Sequence, residues 1–121
     1  MTGAFSMDFF NTKKGIIVGG NYNNQKDNSA NKAITKNGGK TWKLVAENKS
    51  FGYASCVQYA PGKNGKIVFC CGSSGVFYSK NSGKKWYKFL DDTDFYTLRF
   101  SAKNAIILAG KNKVTKIKIS H

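Results

Sequence analysis

The chain has 121 residues, 40% apolar and 14% aromatic, and its 20 basic against 6 acidic side chains give a net charge of +14. That is the size and composition of one domain with a core, which excludes a disordered polyelectrolyte. No apolar run reaches the roughly 20 residues of a membrane-spanning helix, and three cysteines without a Cys-x-x-Cys spacing plus a lone His121 supply no zinc set.

Apolar residues alternate in short runs, no helical period recurs, and the chain holds one proline, an all-β pattern. Residues 5–10 read as a first strand, ended by a turn over 11–14. Residues 15–20 form a second, buried on both faces around Ile16, Ile17 and Val18. The Asn-rich stretch 21–31 is longer than a hairpin needs and is the one inserted loop. Residues 32–36 and 42–47 supply the third and fourth strands. The pattern restarts at 53–59, continues through 67–71 and 75–80, and closes with 86–90. It restarts again at 95–100, followed by strands at 105–109 and 114–119. Ser6, Ser55 and Thr97 read as equivalent starts. Cys70 and Cys71, adjacent on one strand, point to opposite faces, and all three thiols, with Cys56, read as buried rather than bridged.

The organising unit is the stretch Thr35-Lys36-Asn37-Gly38-Gly39-Lys40-Thr41-Trp42. It recurs as Ser79-Lys80-Asn81-Ser82-Gly83-Lys84-Lys85-Trp86, 44 residues later at both ends. Gly38 and Gly39 tolerate positive φ. Asn37 and Asn81 bond their own turn backbone, with hydroxyls from Thr35, Thr41 and Ser79 beside them. Trp42 and Trp86 open the following strand with a large apolar face. Trp42→Ala is expected to cost about 3–5 kcal/mol. A fixed period in the forties is the mark of a blade array.

These two octapeptides resemble Asp-boxes, the Ser/Thr-x-Asp-x-Gly-x-Thr-Trp signature of bacterial neuraminidase (BNR) repeats. That signature occurs in sialidases, sortilin-like receptors and photosystem II assembly factor-like propellers, and the chain is most similar to the last group. Asn37 and Asn81 stand where the family has Asp, and Lys85 replaces the second Thr. The resemblance implies a bacterial, WD40-like all-β propeller: blade one over 4–49, blade two over 50–91, and an incomplete third over 92–121. It also implies the C-terminal arc of a ring of about six to eight blades. Thr35, Asn37, Gly38, Gly39, Thr41, Trp42, Ser79, Asn81, Gly83 and Trp86 are then structural turn residues.

For function, the resemblance offers a sialidase-like glycoside hydrolase, a carbohydrate-binding propeller, or a noncatalytic scaffold for protein interaction or assembly. Sialidases hold the substrate carboxylate with three arginines and use a carboxylate-assisted tyrosine, whereas Arg99 is the only arginine and Glu47 the only glutamate here. The scaffold is the expected reading, with no catalytic residue, no cofactor and no metal. Residues 21–31 and 91–94 carry oxygen ligands but match no calcium-loop pattern. By register, residues 5–10, 53–59 and 95–100 line the central channel. Tyr22, Tyr53, Tyr96 and Arg99 are the candidate partner contacts, the partner being a protein, further N-terminal blades, or copies of this chain. The charge is nearly all lysine, scattered through turns, as AT-rich coding produces, and implies salt-dependent, nonspecific binding to polyanions. The start Met-Thr-Gly-Ala-Phe-Ser has no signal-peptide pattern, the expectation being a cytoplasmic chain, or an exported one if a longer parent carries a leader.

Overall fold

The structure, a computed structural model, describes residues 3–119; Met1, Thr2 and His121, used above, lie outside the described residues. Eleven strands form three antiparallel sheets in chain order. Sheet one is β1 (Ala4–Phe9), β2 (Gly15–Gly19), β3 (Lys32–Thr35) and β4 (Lys43–Leu44). Sheet two is β5 (Ala54–Tyr59), β6 (Val68–Gly72), β7 (Gly75–Ser79) and β8 (Trp86–Leu90). Sheet three is β9 (Phe95–Ala102), β10 (Ala105–Gly110) and β11 (Lys113–Lys118). Each strand pairs with the one before it, so every sheet is a meander. Among the described residues no helix is long and apolar enough to cross a membrane.

The sheets stack face to face, and two apolar layers fill the gaps. Ile16, Val18 and Ile34 of sheet one meet Val57, Tyr59, Val68, Cys70 and Trp86 of sheet two. On the reverse face of sheet two, Cys56, Phe69, Cys71 and Val76 meet Phe95, Leu98, Ile106 and Leu108 of sheet three. Cys70 and Cys71 therefore do face opposite ways, into different layers, and all three thiols are buried and free. Because the middle sheet is covered on both faces, every residue of β6 is buried. Its sequence is accordingly a continuous apolar run rather than an alternating one.

Side chains of one inner strand cap the backbone of the next. Ser6 Oγ accepts the Val57 amide at 3.1 Å and Asp8 Oδ2 accepts the Tyr59 amide at 2.8 Å. One sheet further on, Gln58 Oε1 accepts the Phe100 amide at 2.8 Å. These amides lie on the open edges of β5 and β9, and the side-chain acceptors satisfy groups that no ladder reaches.

Two expectations are corrected. The fourth strand is not 42–47 but only Lys43–Leu44. Ala46, Asn48 and Ser50 take φ of 45°, 62° and 69°, which turns the chain out of the sheet. The equivalent starts are Ser6, Cys56 and Thr97, not Ser55. The pairs Ser6↔Val18, Cys56↔Cys71 and Thr97↔Ala109 each follow a one-residue bulge.

Candidate functional site

Those bulges build the most distinctive surface of the molecule. In each sheet the register skips one residue near the start of the inner strand: Phe5, Ser55 and Tyr96. A bulge leaves its extra residue unpaired and re-aims its side chain. Opposite each stands a glycine that ends or nearly ends the second strand, Gly19, Gly72 and Gly110. A Cβ there would lie 1.8, 2.2 and 1.8 Å from the carbonyl oxygens of Gly3, Tyr53 and Asp94. Only glycine admits so close an approach. The sequence reading missed this device, although the signal is visible: an apolar strand ending in Gly recurs in all three repeats.

At this end of the inner strands a cleft of about 450 Å³ opens between sheets two and three. It is lined by Tyr22, Gln25, Tyr53, Ser55, Gly72, Ser73, Thr93, Phe95 and Tyr96. The loop after β2 folds onto it rather than projecting away. The Tyr53 amide donates to the Gln25 carbonyl at 2.8 Å, and Asn31 Nδ2 donates to the carbonyls of Phe51 and Gly52. That docking brings Tyr22 to Tyr53, ring centroids 5.5 Å apart and edge to face. Phe5 meets Tyr53 in the same manner at 4.8 Å. Ser55 Oγ donates to the Tyr96 carbonyl at 2.8 Å, joining the second rim to the third. Phe5, Tyr22 and Tyr96 remain 49%, 63% and 56% exposed. Burial, with Tyr22 beside it, raises the Tyr53 phenol above its ordinary range, so it stays protonated and available as a donor. Phenols, hydroxyls and one side-chain amide line the cleft, groups suited to binding.

Of the four expected contact residues, Tyr22, Tyr53 and Tyr96 come together here, and Arg99 does not. Arg99 projects from the outer face of sheet three, where among the described residues its guanidinium donates only to the Leu98 carbonyl at 3.4 Å. It makes no ion pair with Asp92 or Asp94; Asp92 is held instead by Lys113, which keeps its carboxyl below the usual range.

The two octapeptide turns have matching bonds. Thr35 Oγ1 donates to Asn37 Oδ1 and accepts the Gly39 amide, and Asn37 Oδ1 accepts the Thr41 amide. Ser79 Oγ, Asn81 Oδ1, the Gly83 amide and the Lys85 amide repeat that pattern. Gly38 and Gly39 take φ of 75° and 90°; their counterparts Ser82 and Gly83 take 65° and 94°. The large cost expected for Trp42→Ala is corrected, however, because it assumed a buried side chain. Trp42 is 37% exposed and Trp86 only 6%. Both tryptophans lie on the same face of their sheets, and only sheet two has a neighbour packed there.

No protein-family model matches this chain, and no curated protein does. Among solved structures it is similar to YCF48 bound to D1 peptide, with a TM-score of 0.73 and 14% identity over 98% of this chain. The chain spans 38% of the length of that one. The likeness is one of fold, and it shows that the three sheets are blades of a β-propeller.

Proposed function

We propose that the chain is a noncatalytic propeller scaffold of the BNR/Asp-box type that holds a protein partner through an extended peptide segment in the aromatic cleft. The observation that carries this reading is the meeting of Tyr22, Tyr53 and Tyr96, from three separate parts of the chain, around one open cleft. Exposed tyrosines on a rigid frame give large contact area at low entropic cost. The similar structure of YCF48 holds a peptide, which accords with a peptide ligand. In this reading the three blades are an arc of a larger ring, the remainder supplied by further blades or by other chains.

The test is selection of binders from a displayed peptide library, followed by titration of the best binder. The double substitution Tyr22→Ser, Tyr96→Ser is expected to weaken binding at least about tenfold, since exposed aromatic anchors carry most of such affinity. Its thermal midpoint should match that of the parent. Selected peptides that bind the double variant equally well overturn the reading. So does turnover of a fluorogenic sialoside that disappears with a Tyr→Phe change.

A further inference from the structure

At the opposite end of β5 from the cleft, the seam between blades one and two encloses a second hollow of about 210 Å³. Lys14, Lys36, Lys84, Ser82, Thr35 and Tyr59 line it. Lys14 reaches across the seam, its Nζ donating to Ser82 Oγ at 2.8 Å. Three lysines from two blades thus line one space, and among the described residues no Asp or Glu does. Lys66 adds to the same field, and partial burial together with Lys66, Lys36 and Lys84 lowers the Lys14 pKa. Charges placed so work against one another unless an anion joins them.

A second observation on this hollow is independent of the lysines. Tyr59 is 95% buried and its hydroxyl has no hydrogen-bond partner, the one such buried side-chain atom among the described residues. A buried phenol without a partner forfeits its hydration for nothing. The nearest carboxylate, Asp8, is no partner, since it accepts the Tyr59 backbone amide instead. Tyr59, the owner of the unused donor, and the three lysines thus line the same hollow.

We propose that this inter-blade hollow is an oxyanion site, taking a phosphate group with the Tyr59 hydroxyl as the neutral donor and Lys14, Lys36 and Lys84 as counter-charges. Occupancy links the two turns, one from each blade, through a shared anion and so stiffens the seam. The site lies away from the aromatic cleft and stands or falls independently of the peptide reading.

The test is calorimetry and thermal unfolding of the whole chain with sodium phosphate replacing sodium chloride at constant ionic strength. Saturable binding and a phosphate-dependent rise in the thermal midpoint are expected. Tyr59→Phe, which removes only the partnerless hydroxyl, should be as stable as the parent in chloride and bind phosphate about tenfold more weakly. Lys14→Met should do the same. Lys103→Met, in another lysine-lined hollow beside Lys116 and Lys118, should leave the affinity unchanged. Equal losses from every lysine substitution with none from Tyr59→Phe would reduce the effect to general polyanion attraction and overturn the site. Absence of a saturable phosphate effect would do so as well. Titration with O-phosphoserine identifies the source of the group: tighter binding than phosphate marks an attached phosphoryl group, and weaker binding marks the free ion.

Discussion

Trp86 donates its indole N–H to the Gly83 carbonyl at 2.8 Å, and Trp42 repeats that bond to Gly39 at 3.1 Å, yet the two side chains lie in different surroundings. Trp86 is sealed between blades one and two, edge to face with Phe51 at 5.0 Å. Trp42 meets Phe9 at 6.1 Å on the uncovered face of blade one. Trp86→Ala should therefore cost about 3–5 kcal/mol, and Trp42→Ala about 1 kcal/mol, in line with its partial burial. Denaturant midpoints of the two variants check this, and equal losses would mean that blade one is covered in solution.

The turn asparagines give a second contrast. Asn81 uses only its oxygen, accepting from the Ser79 hydroxyl at 2.9 Å and the Lys85 amide at 2.8 Å. Asn37 also donates through Nδ2 to Thr41 Oγ1 at 2.7 Å. Asn81→Asp loses no bond and gains a charged acceptor in a chain of net charge +14. It should stabilise the fold by about 0.5–1 kcal/mol at low salt. Asn37→Asp should gain less, because the Thr41 hydroxyl must turn to become the donor. A measured loss at position 81 would show that its amide group makes a bond in solution that the geometry does not contain.

Much of this fold was legible because its signals are local. The octapeptides carry their own turn bonds, and the two-residue period of each strand follows from the pleat. The adjacent pair Cys70 and Cys71 was placed correctly for the same reason. What stayed hidden depends on neighbours. Nothing in residues 35–42 says that the face of Trp42 is uncovered, and nothing in 79–86 says that Trp86 is enclosed. The cleft was half legible: Tyr53 and Tyr96 lie on blade-start segments, but the bulges shift register by one residue and so displaced the reading of Ser55. Gly19, Gly72 and Gly110 were the available clue, passed over because a glycine closing a strand reads as an ordinary turn. The Tyr59 hollow needs two blades to exist, so no single segment announces it.

Arg99 occupies the place on blade three that Asp8 and Gln58 hold on blades one and two. Both of those side chains accept an amide from the following inner strand, Tyr59 and Phe100 respectively. A guanidinium only donates. If a second copy stacked its first blade onto the third, Arg99 would face the Phe9 amide, donor against donor. The parent chain is therefore expected to resist head-to-tail self-association through this seam, and Arg99→Gln, which restores the Gln58 arrangement, to promote it. Sedimentation over a hundredfold concentration range reads the difference. Oligomers of the parent that Arg99→Gln leaves unchanged would place the self-contact elsewhere.

Lys32 gives the pH prediction. Its side chain is 1% exposed, with Nζ donating to Asn31 Oδ1 at 2.7 Å and the Lys49 carbonyl at 2.9 Å, over the Phe51 ring. Among the described residues no carboxylate forms an ion pair with it, Glu47 acting only from a distance, and burial lowers its pKa to about 8. Below that pH it is charged in both states, and folding carries the cost of desolvating the ammonium. As pH rises through about 8 the folded protein loses this proton, while the unfolded chain, titrating near 10.4, keeps it. The unfolded state then binds more protons, so the Lys32 contribution to stability rises with pH. Cys70 and Cys71 act with the opposite sign. Burial raises both thiols, Cys71 to about 12, whereas unfolded thiols ionise above about 8.5, so they withdraw stability over an overlapping range. The total pH profile mixes the two effects, and Lys32 and Cys70 also shift each other, so the difference between the parent and Lys32→Met is taken in a chain that carries Cys70→Ala. That difference should move in favour of the parent by about 1 kcal/mol between pH 7.5 and pH 9. Denaturant unfolding under reducing conditions measures it, and a difference flat across this interval would mean that Lys32 stays charged inside the fold.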